Sequence, residues 1–326
     1  MKTKIRSGKK ALELAKEIIL QGGVVAFPTE TVYGLGANAY DGSAVERIFQ
    51  AKGRPQDNPL IVHIGNIADL YCIADKVSEA AQILAEKFMP GPITLVLKKK
   101  DIIPSVVTAG LGTVGVRMPS HKIAHEFIKS CGVPIAAPSA NISSHISPTS
   151  AGHVYNDLKG RIPLIIDGGS SDVGIESTVV DMSSEDICIL RPGAVTRGMI
   201  EAALNRQIKE KYSTDKAPAA PGMKYRHYAP VKPVRIYGDT ESIIEEYNNL
   251  VAEGKRPVII TGGKGECYKG MASIDVGSST AEAAKNIYAA LREGEEKYDF
   301  ILSENFEDDS IGHSIMNRLY KAAEKK

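Results

Sequence analysis

The chain has 326 residues, a formal net charge of +1, 43% hydrophobic and 24% charged side chains, enough for two domains with ordinary cores. Near-neutral charge and the absence of tryptophan argue against a dedicated nucleic-acid binder built on a basic surface with stacking platforms. Met1 to Lys10 is polar and basic, and no stretch reaches the length of apolar sequence that a membrane helix needs. A soluble, cytoplasmic protein with no membrane partner is therefore expected. Cys72, Cys131, Cys188 and Cys267 are far apart and form no Cys-x-x-Cys pair, so they read as reduced, mostly buried thiols.

Ser7 reads as the cap of a helix whose apolar positions Ala11, Leu12, Ala15, Ile18 and Ile19 recur at helical spacing up to Gly22-Gly23. A short buried strand, Val24 to Phe27, ends at Pro28, and a loop then leads to a helix over Ser43 to Lys52 stopped by Gly53. Strands follow at Leu60–Ile64, Ile93–Leu97, Val114–Arg117, Pro134–Ala137, Leu164–Ile166, Thr178–Asp181 and Ile187–Leu190. Helices over Ser78–Phe88, His121–Ser130, Thr149–Leu158 and Thr196–Asn205 lie among or after them. This mixture predicts one large α/β domain with a twisted, mixed sheet, over residues 1–210. Residues 211–233 read as a linker, and Tyr212 to Pro233 holds four prolines with little periodicity. Strands at Val234–Tyr237, Val258–Thr261, Ser273–Val276 and Asp299–Ser303 then alternate with helices. That alternation predicts a smaller, Rossmann-like α/β domain with a parallel sheet over 234–326.

Charge is unevenly placed. Residues 1–208 carry 22 basic and 20 acidic side chains, 209–230 carry 5 and 2, and 231–326 carry 13 and 17. The excess of positive charge in the linker suits an anionic ligand.

No Walker loop, Gly-x-Ser-x-Gly elbow, zinc helix or kinase signature is present. Gly262-Gly263-Lys264-Gly265 follows a strand and is a turn more readily than a phosphate cradle. Pro28 to Gly36 is more informative, because it packs Thr29, Glu30, Thr31 and Tyr33 directly behind a buried strand, where open α/β sheets bind ligands. Lys52-x-Arg54 runs into the proline-flanked turn Asp57-Asn58-Pro59, a candidate fork for phosphate oxygens or simply a solvated helix end. His63 lies in an apolar strand, as a core histidine or a ligand contact. Arg117 sits in another apolar strand, where burial demands an anionic partner. Pro138-Ser139-Ala140-Asn141, Glu176-Ser177-Thr178 and Arg191-Pro192-Gly193 repeat the theme of polar groups at strand ends, as one pocket on one sheet requires.

These motifs, PTETVYGLGAN, KGRPQDNPLIVHI, GVRMP, APSAN, ESTVVD and RPG, resemble the YrdC-like domain from about Val24 to Gly198. Met223-Lys224-Tyr225-Arg226-His227-Tyr228-Ala229-Pro230 and the small domain resemble the longer, Sua-type branch of that family. The resemblance implies a nucleotidyltransferase that condenses L-threonine, bicarbonate and ATP to L-threonylcarbamoyl-adenylate and pyrophosphate. Its product feeds the threonylcarbamoyl modification of tRNA adenosine next to the anticodon. It also implies downstream tRNA threonylcarbamoyl-transfer proteins as partners, with little or no direct tRNA binding by this chain.

By the same resemblance, Thr31, His63, Arg117, Ala137 and Ser177 surround threonine, with Arg117 on its carboxylate. Lys52, Arg54, Asn58, Thr113, Ser139, Asn141, Ser147, Arg191, Tyr225 and His227 hold ATP, with Lys52 and Arg54 the catalytic cations. Mg2+ is the implied cofactor, carried mainly by the ATP phosphates and by no protein ligand. Nucleotidyl transfer of this kind needs positioning and charge compensation more than a protein nucleophile, which fits a pocket of cations and hydroxyls. His63 and Glu30 are candidates for the base in carbamate formation, and the basic linker is expected to act as a lid over the nucleotide. Competing readings are an RNA-binding module and carbamoyl transfer for metal-centre maturation. The latter calls for cysteine clusters and further domains, neither of which this sequence contains.

Overall fold

The computed structural model describes residues 1–211, 229–308 and 311–323. They form two compact units. The first holds residues 1–143, 148–171 and 176–211, and the second holds 144–147, 172–175 and the described residues from 229 onward.

The first unit is built on an eleven-stranded sheet. In chain order its strands are β1 (Lys4–Arg6), β2 (Val25–Phe27), β3 (Gly34–Asn38), β4 (Ile61–His63), β5 (Ile93–Lys98), β6 (Thr113–Arg117), β7 (Ile135–Ala137), β8 (Leu164–Ile166), β9 (Thr178–Asp181), β10 (Cys188–Arg191) and β11 (Lys209–Glu210). Their order across the sheet is β1-β8-β2-β3-β7-β4-β6-β5-β9-β10-β11. The sheet is mixed, with β2/β3, β3/β7, β4/β7, β5/β6 and β9/β10 antiparallel and the other neighbours parallel.

Because side chains alternate between faces along a strand, the register sorts the sheet into two faces. Ala26, Leu35, Ala37, Val62, Leu95, Val116, Ala136 and Val180 belong to the larger core. Helices α2 (Gly42–Lys52), α4 (Glu79–Phe88), α7 (Ala151–Leu158) and α8 (Arg197–Leu204) contribute to that core, as do the short α3 (Asp69–Ile73) and α5 (Ser105–Thr108). On the opposite face α1 (Lys9–Leu20) and α6 (Lys122–Cys131) pack against Val25, Phe27, Ile135, Ala137, Leu164 and Ile166.

The second unit carries four parallel strands, β12 (Val234–Tyr237), β13 (Pro257–Thr261), β14 (Ser273–Asp275) and β15 (Phe300–Glu304), in the order β12-β15-β13-β14. Helices α9 (Thr240–Ala252), α10 (Thr280–Lys297) and α11 (Gly312–Ala323) complete it. The capping box of Ser279 and Glu282 sets the start of α10.

Three sequence expectations change. Ser7 does not cap α1, whose N-cap is Gly8 with no side-chain hydrogen bond. The thiols are not mostly buried: Cys131 is buried, Cys188 half-buried, and Cys72 and Cys267 are exposed. The stretch read as loop through Gly36 contains the central strand β3, whose two glycines disguise it, because strand propensity reflects side chains that fit a pleated surface. Gly36 is there for space: a Cβ would lie 2.5 Å from Ile135 Cγ2 and 2.8 Å from Phe27 Cε1.

Gly36→Ala is therefore expected to lower unfolding free energy by about 1–3 kcal/mol through overpacking. Gly112→Ala, where a Cβ meets nothing within 4 Å, should stay within about 0.5 kcal/mol of the parent. Equilibrium urea unfolding of both variants checks this.

Candidate active site

Beyond the strands that α1 and α6 cover, the same sheet face turns polar. Register places Ala137 beside Ile61, Ile61 beside Gly115, and His63 beside Arg117. Thr94 pairs with Val179 on β9, two residues past Ser177. His63, Arg117 and Ser177 are all more than nine-tenths buried, so side chains named from the sequence as threonine contacts converge on one surface. Ala137 belongs to the adjoining apolar cluster and marks its border.

The loop between β2 and β3 closes over this surface. Thr29 organises it: its Oγ1 donates to Val32 O (2.6 Å) and accepts from the N–H groups of Thr31 and Val32 (3.2 Å each). With that proton committed, the 2.9 Å contact between Thr29 Oγ1 and Thr31 Oγ1 has Thr31 as donor. The Thr31 hydroxyl is thus left to act as an acceptor. Glu30, in the same loop, places Oε1 2.8 Å from Arg117 Nη2. Strands β2 and β6 are four places apart in the sheet, roughly 19 Å at the usual spacing, so this ion pair requires the loop to reach across the face.

His63 meets the edge of Phe27 with ring centroids 5.8 Å apart. Burial, followed by the charge of Arg117, pushes its pKa down to about 3, so its imidazole is neutral near pH 7. Ser177 Oγ contacts Thr94 Oγ1 at 2.8 Å. Arg191 donates from Nε to Ser177 O and from Nη2 to Ser177 Oγ, both at 3.1 Å. A register shift between Ile189 and Arg191 re-aims that side chain, and Gly193 lets the chain pass where a Cβ would lie 2.4 Å from Thr178 N.

The residues assigned to ATP fall into separate contacts. Lys52, the last residue of α2 and 2% exposed, donates from Nζ to Ser139 O and Asn141 O, each at 2.5 Å. Burial, then the neighbouring Arg54 charge, holds its pKa well below the ordinary lysine value. Lys52 is therefore engaged with backbone carbonyls and does not form an open fork with Arg54. Arg54 Nη2 donates to Asn58 O at 2.9 Å. Asn58 is 1% exposed, and among the described residues neither Oδ1 nor Nδ2 finds a hydrogen-bond partner. Thr113 opens β6 while Arg117 ends it, roughly 13 Å apart at a strand's usual rise, so Thr113 is not brought to the threonine group. Ser147 is buried and belongs to the second unit. Tyr225 and His227 lie outside the described residues, as does most of the linker.

Sequence reasoning missed Thr94 and, though it singled out the segment holding Thr29, gave that residue no role of its own. The signal for Thr94 was a lone hydroxyl in the apolar run of β5, and Thr29 had the signature of a side-chain turn. The glycine-rich loop of the second unit proves to be occupied by its own chain. Gly262 N donates to Glu304 Oε2 (2.8 Å), Gly263 N to Asp275 Oδ1 (3.0 Å), and Lys264 N to Thr261 Oγ1 (3.2 Å).

His63 supplies a pH test. An unfolded histidine titrates near 6.5, so between that value and about 3 the unfolded chain binds a proton that folded His63 does not. Stability is thus lost as pH falls through this window, by on the order of 1 kcal/mol per pH unit. Urea unfolding at pH 7 and pH 5 should show His63→Gln losing roughly 2 kcal/mol less than the parent. Equal losses would remove the buried, neutral histidine.

Residues 17–193 match the Sua5/YciO/YrdC family model, described as telomere recombination. Residues 195–324 match the model described as threonylcarbamoyl-AMP synthase, C-terminal domain. The threonylcarbamoyl-AMP synthase of Pyrococcus abyssi is 46% identical over 322 residues, covering 96% of this chain and 94% of that protein. That of Bacillus subtilis is 46% identical, covering 95% and 92%. The crystal structure of P. abyssi Sua5 complexed with L-threonine superposes with a TM-score of 0.93 at 42% identity, covering 99% of this chain and 98% of that one. The chain belongs to the threonylcarbamoyl-AMP synthase family, in the branch that joins a YrdC-like domain to a Sua5-type C-terminal domain.

Proposed function

We propose that this chain converts L-threonine, bicarbonate and ATP into L-threonylcarbamoyl-adenylate and pyrophosphate, for threonylcarbamoyl modification of tRNA. The observation that carries the reading is Arg117. It is buried at 4% exposure, with Nε and Nη2 lacking aligned hydrogen bonds among the described residues, a receptor for a small carboxylate. The relatives' names and the threonine complex of the P. abyssi protein support the same assignment.

In this reading Arg117 binds the threonine carboxylate, while Thr31 and Ser177 present hydroxyls to its polar groups. The α-ammonium gives up a proton to solvent, the free amine bonds to the carbon of bicarbonate, and the bicarbonate C–OH bond breaks, its hydroxyl leaving with a second amine proton as water. The resulting carbamate oxygen attacks the α-phosphorus of ATP, the bond to the β-phosphate oxygen breaks, and pyrophosphate leaves. ATP enters as its magnesium complex, with the metal compensating phosphate charge. Arg54 and Asn58 hold the nucleotide, while Lys52 fixes Ser139 and Asn141 beside it. Neutral His63 donates or accepts a hydrogen bond without adding a cation next to Arg117.

The full chain with MgATP and bicarbonate should release pyrophosphate on addition of L-threonine, and far less with L-serine or L-valine. Arg54→Ala, at a half-exposed position, should keep the fold and lower turnover by at least ~30-fold, the loss expected for one charged contact to a developing anion. Turnover independent of threonine, or unaffected by this change, counts against the proposal.

A further inference from the structure

The geometry points to Glu30 as the receptor for the α-ammonium of the amino-acid substrate, so that Glu30 and Arg117 together select a zwitterion. This rests on the reading of the site as one that takes L-threonine, and adds to it the residue that recognises the amine.

Glu30 is 5% exposed and Arg117 is 4% exposed. Their Oε1 and Nη2 atoms are 2.8 Å apart, yet the contact is not aligned as a hydrogen bond. Among the described residues both oxygens of Glu30 and both Nε and Nη2 of Arg117 lack a hydrogen-bond partner. Buried carboxylates ordinarily collect donors, and a buried ion pair is stabilising only when its remaining donors and lone pairs are also satisfied. This pair therefore makes a poor internal bridge. It makes a good receptor, because it presents adjacent positive and negative poles, the complement of an α-amino acid.

Binding exchanges one ion pair for two. The substrate carboxylate takes the guanidinium donors, the ammonium takes the Glu30 oxygens, and no charge is left uncompensated. The other polar groups on this surface do not carry the required charge: Thr31, Thr94 and Ser177 are neutral hydroxyls, and His63 is uncharged near pH 7. Glu176, the other buried acid of this unit among the described residues, already has an interaction of its own.

Isothermal titration calorimetry on the full chain, at one pH, should compare L-threonine with the analogue in which a hydroxyl replaces the α-ammonium. The wild type is expected to favour threonine by at least ~30-fold, as for loss of one buried charged contact. Glu30→Gln should weaken threonine by a similar factor while binding the analogue as well as, or better than, the wild type, since Arg117 then has no competing carboxylate. A damaged fold cannot produce those opposed responses. Glu30→Asp should retain part of the threonine affinity. Should Glu30→Gln not fold, the wild type decides: affinities for threonine and analogue within about threefold of each other overturn the assignment. Wild-type threonine binding left intact by Glu30→Gln overturns Glu30 alone, whereas a wild type that binds no L-threonine overturns the functional reading with it.

Discussion

The buried ammonium of Lys52 is the constraint on which the side of the site proposed to take the phosphates depends. Removing a charge from water is costly unless polar groups replace its hydration, and here the carbonyls of Ser139 and Asn141 do so. The contact fastens the end of α2 to the segment leaving β7. Ser143 N donates back to Lys52 O at 3.1 Å, so the two segments are held in both directions. From the same helix end, Arg54 N bonds Phe49 O, and the side chain turns to the carbonyl of Asn58. The motif that contains Lys52 and the motif that contains Ser139 and Asn141 are thus two halves of one interaction. Their joint presence in the sequence has a mechanical reason.

On the side proposed to take the amino acid the governing feature is a change of cover along one sheet face. Where α1 and α6 lie, the face presents Phe27, Ile135 and Ala137. One strand further it presents His63, and two strands further Arg117. Burial first, and then the charge of Arg117, hold this histidine neutral. A Cβ at Gly34 or Gly36 would press on Phe27, and one at Gly115 on Thr94, so these glycines leave room for the side chains of this face.

Much of this was legible in the sequence because the polar residues stood where apolar periodicity predicts strand ends. His63, Arg117 and Ser177 each stood out as polar groups in or beside apolar strands, and the resemblance to the YrdC-like domain, not periodicity, grouped them around threonine. What could not be read was pairing across the sheet. Nothing local indicates that Glu30 meets Arg117, 87 positions later in the chain, or that Lys52 spends its donors on carbonyls. Strand β3 was hidden because its glycines serve Phe27 and Ile135, partners invisible to a propensity argument. Thr94 escaped notice for the opposite reason: it looks like any β-branched residue in a buried strand, and only its 2.8 Å contact with Ser177 distinguishes it.

The second unit shows how a chain can supply its own counter-ion. Glu304, at the carboxyl end of β15, accepts from Gly262 N and from the hydroxyl of Tyr268 at 2.7 Å, where a nucleotide-binding fold would receive a phosphate. The loop is ordered by a covalently attached anion whose effective concentration never varies. The order of this loop therefore does not depend by mass action on a free anion such as phosphate.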